Sequence, residues 1–538
     1  YIGKKLFSRN NTTKATNTRE WDFFLNKVET YFKQGGKFIR IMQSPWSALI
    51  EYEKKGNYFD RLHYAWEQDK LLDLCEQYDA MMLFNLMNHT PFEICSSYFA
   101  FHWDWERYWI DENGQIYYNH DEDWPLYCYN TNSKEIGGKL PHQTLADDED
   151  LLYHQQRTRY YISRYGYSTN IYEFELLSEP FNVDVNAKYK TQPYFVPQDG
   201  ATDEQIAYQK ELFQSIEKYQ RNISTYIKEE LGHDEHLIGV DYASGIWNPD
   251  STKWQLDKSY AFKHIDIIAL NDYDVAQNRY IKSKSGSNNE FGLNENSKAR
   301  MIHDLYQRSQ KPIILSEQGI GDGFGACTEY AESKIDAMSM GFVGVCGFNV
   351  WEGKDWVQSF IWPSTILAQN FAQEHIVQVL NQGNGNWIQG RQVGKIKNSH
   401  KVGAKEVQYY LSEDRQQACG YVRNRTHNTH TKRMDEGCNL LKSPNPFLVD
   451  NFDDAPINEL TDITWSDGPK SSTLVVEGLD KNAVYEIHFY LQFKNKLIVS
   501  YKEQTSSKGK FTIKFPKLVV QNEDYNNPIV WFTLQKVE

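Results

Sequence analysis

Ile171-Tyr-Glu-Phe-Glu-Leu-Leu-Ser-Glu-Pro180 is an extended, largely apolar run that stops abruptly at a Ser-Glu-Pro corner. It reads as a strand that presents Glu179 at its end. A second run, Pro312-Ile-Ile-Leu-Ser-Glu-Gln-Gly319, ends the same way, with Glu317 at its last strand position and a glycine shortly after. If both strands belong to one parallel barrel, their C-terminal ends open onto one face, where barrel active sites lie.

The segments around these two runs alternate between helix and strand. Upstream, helical spacing over Thr18 to Gln34 ends at Gly35-Gly36 and is followed by a strand, Lys37 to Gln43. A helix from Asp60 to Tyr78 then precedes a buried-type strand, Met81 to Met87, and a helix from Asp148 to Tyr165 leads into the opening run. Downstream come a long helix, Asp203 to Leu231, and strands at Leu237 to Asp241 and Ile265 to Leu270. Helices near Lys298 to Gln310 and Tyr330 to Met340 flank the Pro312 strand, and Val343 to Trp351 is the next strand. A parallel sheet follows from this alternation. Seven core strands are counted where a (β/α)8 TIM barrel needs eight. The missing one is expected at the front, upstream of Tyr1 or with Tyr1 to Leu6 as its tail.

After a last helix, about Leu367 to Leu380, the pattern changes to short strands without helices: Glu406–Leu411, Gln417–Val422, Thr473–Glu477, Val484–Tyr490, Lys496–Tyr501, Phe511–Phe515 and Ile529–Leu534. That is the signature of an antiparallel β-sandwich. The expected domains are therefore a catalytic barrel over 1–382 and an accessory sandwich over 383–538, with the boundary near Gly383-Asn-Gly385. Two long loops interrupt the barrel, Asn88 to Ala146 and Phe181 to Ala201, and loops of this length in a compact domain are usually functional. Both leave C-terminal strand ends, so they are expected to wall a cleft.

Composition narrows the partners. Of 538 residues, 15% are aromatic, with 36 Tyr, 28 Phe and 15 Trp, more than a core alone requires and suited to stacking on flat ligand faces. The formal net charge of −14, without long basic runs, speaks against a nucleic-acid groove. No apolar segment approaches the roughly 20 residues that cross a bilayer. The seven cysteines show no CxxC pair and no metal-type spacing, and are expected as scattered core residues with at most one bridge.

The strand-end Glu-Pro, the second strand-end Glu and the aromatic after the last barrel strand resemble the clan A retaining glycoside hydrolases, a group that includes cellulase-like and mannanase-like enzymes. The segment from Arg157 to Glu179 is similar to their helix-strand lead-in to the acid/base, and the resemblance covers about Phe38 to Trp351. It implies that Glu179 is the general acid/base and Glu317 the nucleophile. It further implies that Arg40 holds the nucleophile ionised, His89 is a polar sugar-binding position, Tyr273 touches the nucleophile and Trp351 is the platform under the −1 sugar. One position departs. The clan usually has Asn before the acid/base, where its amide binds the sugar 2-hydroxyl, and here that position is Ser178. The implied substrate is a polysaccharide or oligosaccharide, with no cofactor and no metal. The implied setting is secreted, periplasmic or cell-surface, although this chain shows no signal peptide.

The chemistry supports the same two residues. A glycosidic oxygen is a poor leaving group, so one carboxyl must stay protonated near neutral pH, through desolvation or a nearby negative charge. The other must stay ionised to attack C1, which a neighbouring Arg favours. Taken singly, a Glu-Pro pair is more often a solvated turn, and Glu317 could form a structural ion pair with Arg40. Two other function classes remain: a non-catalytic carbohydrate-binding barrel, and a metal-dependent barrel hydrolase. The latter needs His and carboxylates at several strand ends, and only His89 and His264 lie near strand termini.

Overall fold

Strand and helix periodicities separate cleanly in the first half of this chain, and the elements form where they predict. The computed structural model describes residues 18–33, 35–43, 48–89, 92, 108–110, 116–118, 127–129, 133–183, 202–243, 258–273, 308–319, 392–393, 395–397, 405–424, 473–491, 496–514 and 529–537. Helix α1 (Thr18–Lys33) precedes β1 (Phe38–Ile41), and α2 (Leu62–Gln77) precedes β2 (Met81–Asn85). A small hairpin, β3 (Tyr108–Ile110) with β4 (Ile116–Tyr118), and a short helix α3 (Pro141–Thr144) lie in the first long insert. Then come α4 (Asp148–Tyr165), β5 (Ile171–Glu175), α5 (Asp203–Thr225), β6 (Leu237–Ala243), β7 (Ile267–Tyr273) and β8 (Ile313–Gly319). The helix starts are chemically marked. Asp147 accepts from the backbone N–H groups of Glu149 and Asp150, and Thr202 with Gln205 forms a capping box. A π-helical turn, Tyr226–Glu230, extends α5 to the end the periodicity predicts.

Six strands form one sheet in the order β1-β2-β5-β6-β7-β8. The pairs β1 with β2, β2 with β5, β5 with β6 and β6 with β7 are parallel. Six flat strands at about 4.8 Å spacing would hold the first and last roughly 24 Å apart. Instead Phe38 of β1 packs in one cluster with Ile267 and Ala269 of β7 and Ile314 of β8, so the sheet is curled. Its convex side takes the helices. Phe84 of β2 meets Tyr161 and Tyr165 of α4 at ring-centroid distances of 5.3 and 5.1 Å. Its concave side carries the polar residues Arg40, Asn85, Glu173, Glu175, Asp241 and Asn271, all buried.

The concave side owes its phase to an irregularity in β5. Met82 pairs with Ile171 but Leu83 pairs with Glu173, so Tyr172 is an extra residue in the ladder. A bulge of this kind places two successive side chains on one face. Tyr172 accordingly packs edge-on against Phe38 at the floor of the curl, at 5.7 Å, while Glu173 and Glu175 follow above it.

The first insert is more structured than its lack of periodicity predicts. Its last part folds down onto α4: Tyr127, Cys128 and Tyr129 are buried, and the Tyr129 ring stacks on His154 at 4.5 Å. Arg157 anchors this region through a buried ion pair with Glu51 and a 3.0 Å contact to His154 Nδ1. The rings that composition suggests for ligand stacking are, at these positions, core residues.

The chain divides into two compact units, one holding the parallel sheet and the other the antiparallel strands. The second unit comprises β9 (Gln392–Val393), β10 (Lys395–Lys397), β11 (Lys405–Leu411), β12 (Gln417–Asn424), β13 (Thr473–Glu477), β14 (Val484–Leu491), β15 (Lys496–Gln504), β16 (Lys510–Lys514) and β17 (Ile529–Lys536). They form a three-stranded sheet, β10-β13-β16, and a six-stranded sheet, β15-β14-β17-β12-β11-β9. Leu474, Val476, Phe511 and Ile513 from the first share one apolar core with Tyr409, Ile487, Phe489, Phe532 and Leu534 from the second. Full burial of each such side chain stabilises by about 1.5–3 kcal/mol, before the entropy of ordering the chain is subtracted. The Tyr409 hydroxyl donates to the Glu477 carbonyl and accepts from the Glu477 N–H, both at 2.9 Å, tying β11 to β13.

The strands expected at the very front and at Val343 to Trp351, the helices at Tyr330 to Met340 and Leu367 to Leu380, and the boundary near Gly383 lie outside the described residues. So do residues 184–201 of the second long loop and most of the expected helix from Lys298 to Gln310. Cys75, Cys128 and Cys419 are buried free thiols, and the other four cysteines lie outside the described residues. Among the described residues no helix is long and apolar enough to cross a membrane.

Candidate active site

Beyond Glu175 the chain leaves the regular ladder but keeps contact with both neighbours. Leu86 N–H donates to the Glu175 carbonyl, Leu176 N–H to the Gly239 carbonyl and Ser178 N–H to the Met87 carbonyl, and Ser178 bridges to Asn88. The corner then turns within one residue. Glu179 adopts a left-handed backbone, φ 48° and ψ 53°, and caps a 3-10 turn, Pro180–Asn182. A non-glycine side chain there is strained by roughly 1–2 kcal/mol and persists only where surrounding contacts hold it.

Those contacts come mainly from Asp241 on β6. Its Oδ2 accepts from Glu179 N–H at 2.9 Å, Ser178 Oγ at 3.1 Å, Arg40 Nη2 at 3.1 Å and Asn271 Nδ2 at 3.2 Å. Asn271, on β7, also donates from Nδ2 to Glu179 Oε1 at 2.9 Å, while its Oδ1 accepts from Ser316 Oγ of β8 at 2.6 Å. Asn182 Nδ2 donates to Glu179 Oε2 at 2.8 Å, and His89 Nδ1 lies 3.8 Å from the same oxygen. The Glu179 carboxyl is thus oriented by two amides and remains 12% exposed. The carboxyls beneath it are fully buried.

Arg40 lies under the corner with its guanidinium wholly enclosed. Nη2 is 2.5 and 2.7 Å from the two oxygens of Glu175 and 2.9 Å from Ser178 Oγ. Asn85 Nδ2 adds a 2.8 Å hydrogen bond to Glu175 Oε1. Deeper still, Glu173 is fully buried, and neither of its carboxyl oxygens has a hydrogen-bond partner among the described residues. Burial and the neighbouring Glu175 carboxylate push Glu173 well above the usual carboxylate range, with Asp241 and Asp266 adding to the rise and Arg40 opposing it. Its surroundings thus favour the neutral form of the acid.

The residues singled out in the sequence fall into three sets. Glu179, His89, Arg40 and Ser178 meet at one end of the curled sheet. Ser178 is fully buried, and its hydroxyl accepts from Arg40 and donates to Asp241, which sets it inside the wall rather than on the cleft surface. Glu317 and Tyr273 sit on strands of the same sheet, β8 and β7, with Tyr273 as the last strand residue rather than the one after it; their side chains lie outside the described residues. Trp351 lies wholly outside them.

Asp241 and Asn271 are the site residues that the sequence reading passes over. Both close apolar strand runs, Leu-Ile-Gly-Val-Asp and Ile-Ile-Ala-Leu-Asn, and so carry the same signal that marks Glu179 and Glu317. No group of three or more His, Cys, Asp or Glu among the described residues is arranged to hold a metal.

No family model matches the chain, and no curated protein matches it. Several solved structures are similar in outline. A glycoside hydrolase family 5 protein from Bacteroides vulgatus ATCC 8482 aligns over 99% of this chain and 88% of its own, at 9% identity and a TM-score of 0.45. A glycoside hydrolase family 5 mannosidase from Rhizomucor miehei aligns over 65% of this chain and 80% of its own, at 14% identity and a TM-score of 0.36. A β-1,4-D-mannanase from Cryptopygus antarcticus aligns over 68% and 89%, at 12% identity and a TM-score of 0.38. Likenesses this distant carry no argument about individual residues, so the chemistry of the site rests on its own geometry.

Proposed function

We propose that the chain is a retaining glycoside hydrolase, built on a (β/α)8 barrel with a C-terminal β-sandwich, that cleaves β-glycosidic bonds of a polysaccharide or oligosaccharide. The observation that carries this reading is Glu179: a strand-end carboxyl, partly open, oriented by Asn271 and Asn182 and pinned by its own N–H to Asp241. The neighbouring carboxyls Glu175 and Asp241 are buried in hydrogen bonds to Arg40 and are not available for that role. In the first step the Glu317 carboxylate attacks the anomeric carbon as Glu179 gives its proton to the departing glycosidic oxygen. In the second, Glu179 takes a proton from a water that attacks the same carbon, and the Glu317 ester bond breaks. His89 and Tyr273 are assigned to the −1 sugar or its nucleophile, and Trp351 to the platform beneath it. The 2-hydroxyl contact is not assigned to Ser178, whose hydroxyl is enclosed. A polysaccharide is met outside the cell, so a secreted, periplasmic or cell-surface location belongs to the same proposal.

The test is turnover of a panel of plant and algal polysaccharides, with product sizes recorded, by the wild type and by Glu317→Gln. Release of sugars by the wild type and its loss in the variant is the expected result. Binding without turnover by both proteins would favour a non-catalytic carbohydrate-binding barrel, and no binding at all would end the carbohydrate reading.

A further inference from the structure

Glu179 is held in a backbone conformation its side chain disfavours, and the group that holds it is a carboxylate on the next strand. Asp241 is fully buried, and a single oxygen, Oδ2, accepts from the Glu179 peptide N–H at 2.9 Å and from the same Asn271 nitrogen that holds Glu179 Oε1. The two carboxyls are therefore linked twice, through the peptide of Glu179 and through one shared amide. We propose that Asp241 is the positioning residue of this site: it fixes the left-handed turn at Glu179 and sets a permanent negative charge beside the Glu179 carboxyl, so that Glu179 keeps its proton until the leaving oxygen takes it.

Asp241 shares Arg40 with Glu175. Both oxygens of Glu175 approach Arg40 Nη2 more closely than Asp241 Oδ2 does, 2.5 and 2.7 Å against 3.1 Å. One guanidinium thus serves both carboxyls, and the three other donors to Asp241 Oδ2, the Glu179 N–H, Ser178 Oγ and Asn271 Nδ2, favour its ionised form. A like charge in a water-poor site favours the protonated form of its neighbour. Among the described residues the titratable and charged groups of this site are Asp241 on β6, His89 after β2, Arg40 on β1, and Glu175 and Glu173 on β5, and the proposed function adds Glu317. His89, 3.8 Å away, opposes the effect when it is charged. The two amides that donate to Glu179 favour its ionised form, so Asp241 is the charge that offsets them.

The role of Asp241 as partner of an acid/base rests on the proposed function, but its hold on Glu179 is measurable without substrate. The experiment is a 13C titration of the Glu179 carboxyl, assigned by its loss in Glu179→Gln, in the wild type and in Asp241→Asn, together with crystal structures of the wild type, Asp241→Asn and Asp241→Ala. The expected results are a fall of about one pH unit in the Glu179 titration of Asp241→Asn and a Glu179 φ that turns negative in Asp241→Ala. In turnover, the basic limb of kcat/KM moves down with the titration, and Asp241→Ala loses about 100-fold in kcat through misplacement of the acid. An unchanged Glu179 titration, or a Glu179 that stays left-handed without Asp241, overturns the proposal. If neither variant folds, the wild-type crystal structure decides: a negative φ at Glu179, or its N–H turned away from Asp241, overturns it. A wild type that turns over no glycoside would sink the proposed function while the titration and the backbone still judge Asp241.

Discussion

The Glu173 carboxyl lies over Gly239, two positions along the neighbouring strand from its own register partner Leu237, so closely that a methyl group on Gly239 would lie 1.6 Å from Glu173 Oε1. The glycine is there because a buried carboxyl occupies the space a side chain would need. Gly239→Ala should destabilise the protein by about 3 kcal/mol, the upper end of ordinary overpacking costs, because the displaced group is polar and enclosed. Thermal or denaturant unfolding measures this, and an unchanged midpoint would show that the carboxyl has somewhere else to go.

Stability should fall as pH rises through neutrality. Burial raises Glu67 to about 7 despite the opposing charge of Arg61, and Glu173 is raised well above its ordinary range. A folded-state pKa above the unfolded value of about 4.3 means the stabilising contribution is complete below that value and is lost as pH climbs through the folded pKa. For Glu67 the loss runs from about pH 4.3 to somewhat above pH 7, and Glu173 contributes a loss of the same sign. Glu67→Gln should therefore gain on the wild type at pH 8 relative to pH 5, and Glu173→Gln should likewise gain as pH rises. Denaturant midpoints across that range check both, and parallel curves for variant and wild type would contradict the ionisations.

Arg40→Met should cost about 3–5 kcal/mol, because it leaves Glu175 and Asp241 buried without their shared cation. Replacing Glu175 with Gln in the same protein should recover part of the loss, since one of the stranded charges is then gone. A single Arg40→Met as stable as the wild type would mean that another cation serves these carboxylates.

Retention makes its own prediction. The Glu179 and Glu317 carboxyls should lie about 5–5.5 Å apart, whereas an inverting enzyme leaves about 6.5–9.5 Å for a water. Glu317→Ala should lose nearly all turnover and recover some with azide, yielding a glycosyl azide of inverted configuration. Glu179→Ala should be hurt least on substrates with good leaving groups. First products released with inverted anomeric configuration would exclude the double displacement.

The elements were legible where periodicity was clean. Asp148–Tyr165 is read to the residue, and each of the six strands described in the large sheet is found within a few residues of its expected bounds. The concave face was not legible in the same way. Ile171-Tyr-Glu-Phe-Glu175 is read only as an extended, largely apolar run, and nothing in it marks Glu173 and Glu175 as fully enclosed, which follows from the curl of the sheet. Nor does the run show that Glu179 turns left-handed, since that conformation depends on Asp241, 62 residues further along the chain. Strand ends announce candidate residues one by one. Their partnerships depend on which strands become neighbours.

The extra residue in β5 sets the phase of everything after it. Removing Tyr172 itself would leave Ile171 and Glu173 in regular alternation opposite Met82 and Leu83, but side chains alternate along a strand, so removing any one residue between Tyr172 and the corner would exchange the faces of the positions that follow it, or else force the ladder to slip against both neighbours. Beyond the bulge an insertion or deletion is a harsher change than a substitution, because a single step there moves an enclosed acid into the helix layer or a ring into the polar pocket. The length of the segment between the floor of the curl and Glu179 is therefore under tighter inheritance than its composition, and relatives of this chain should differ there in letters but not in count.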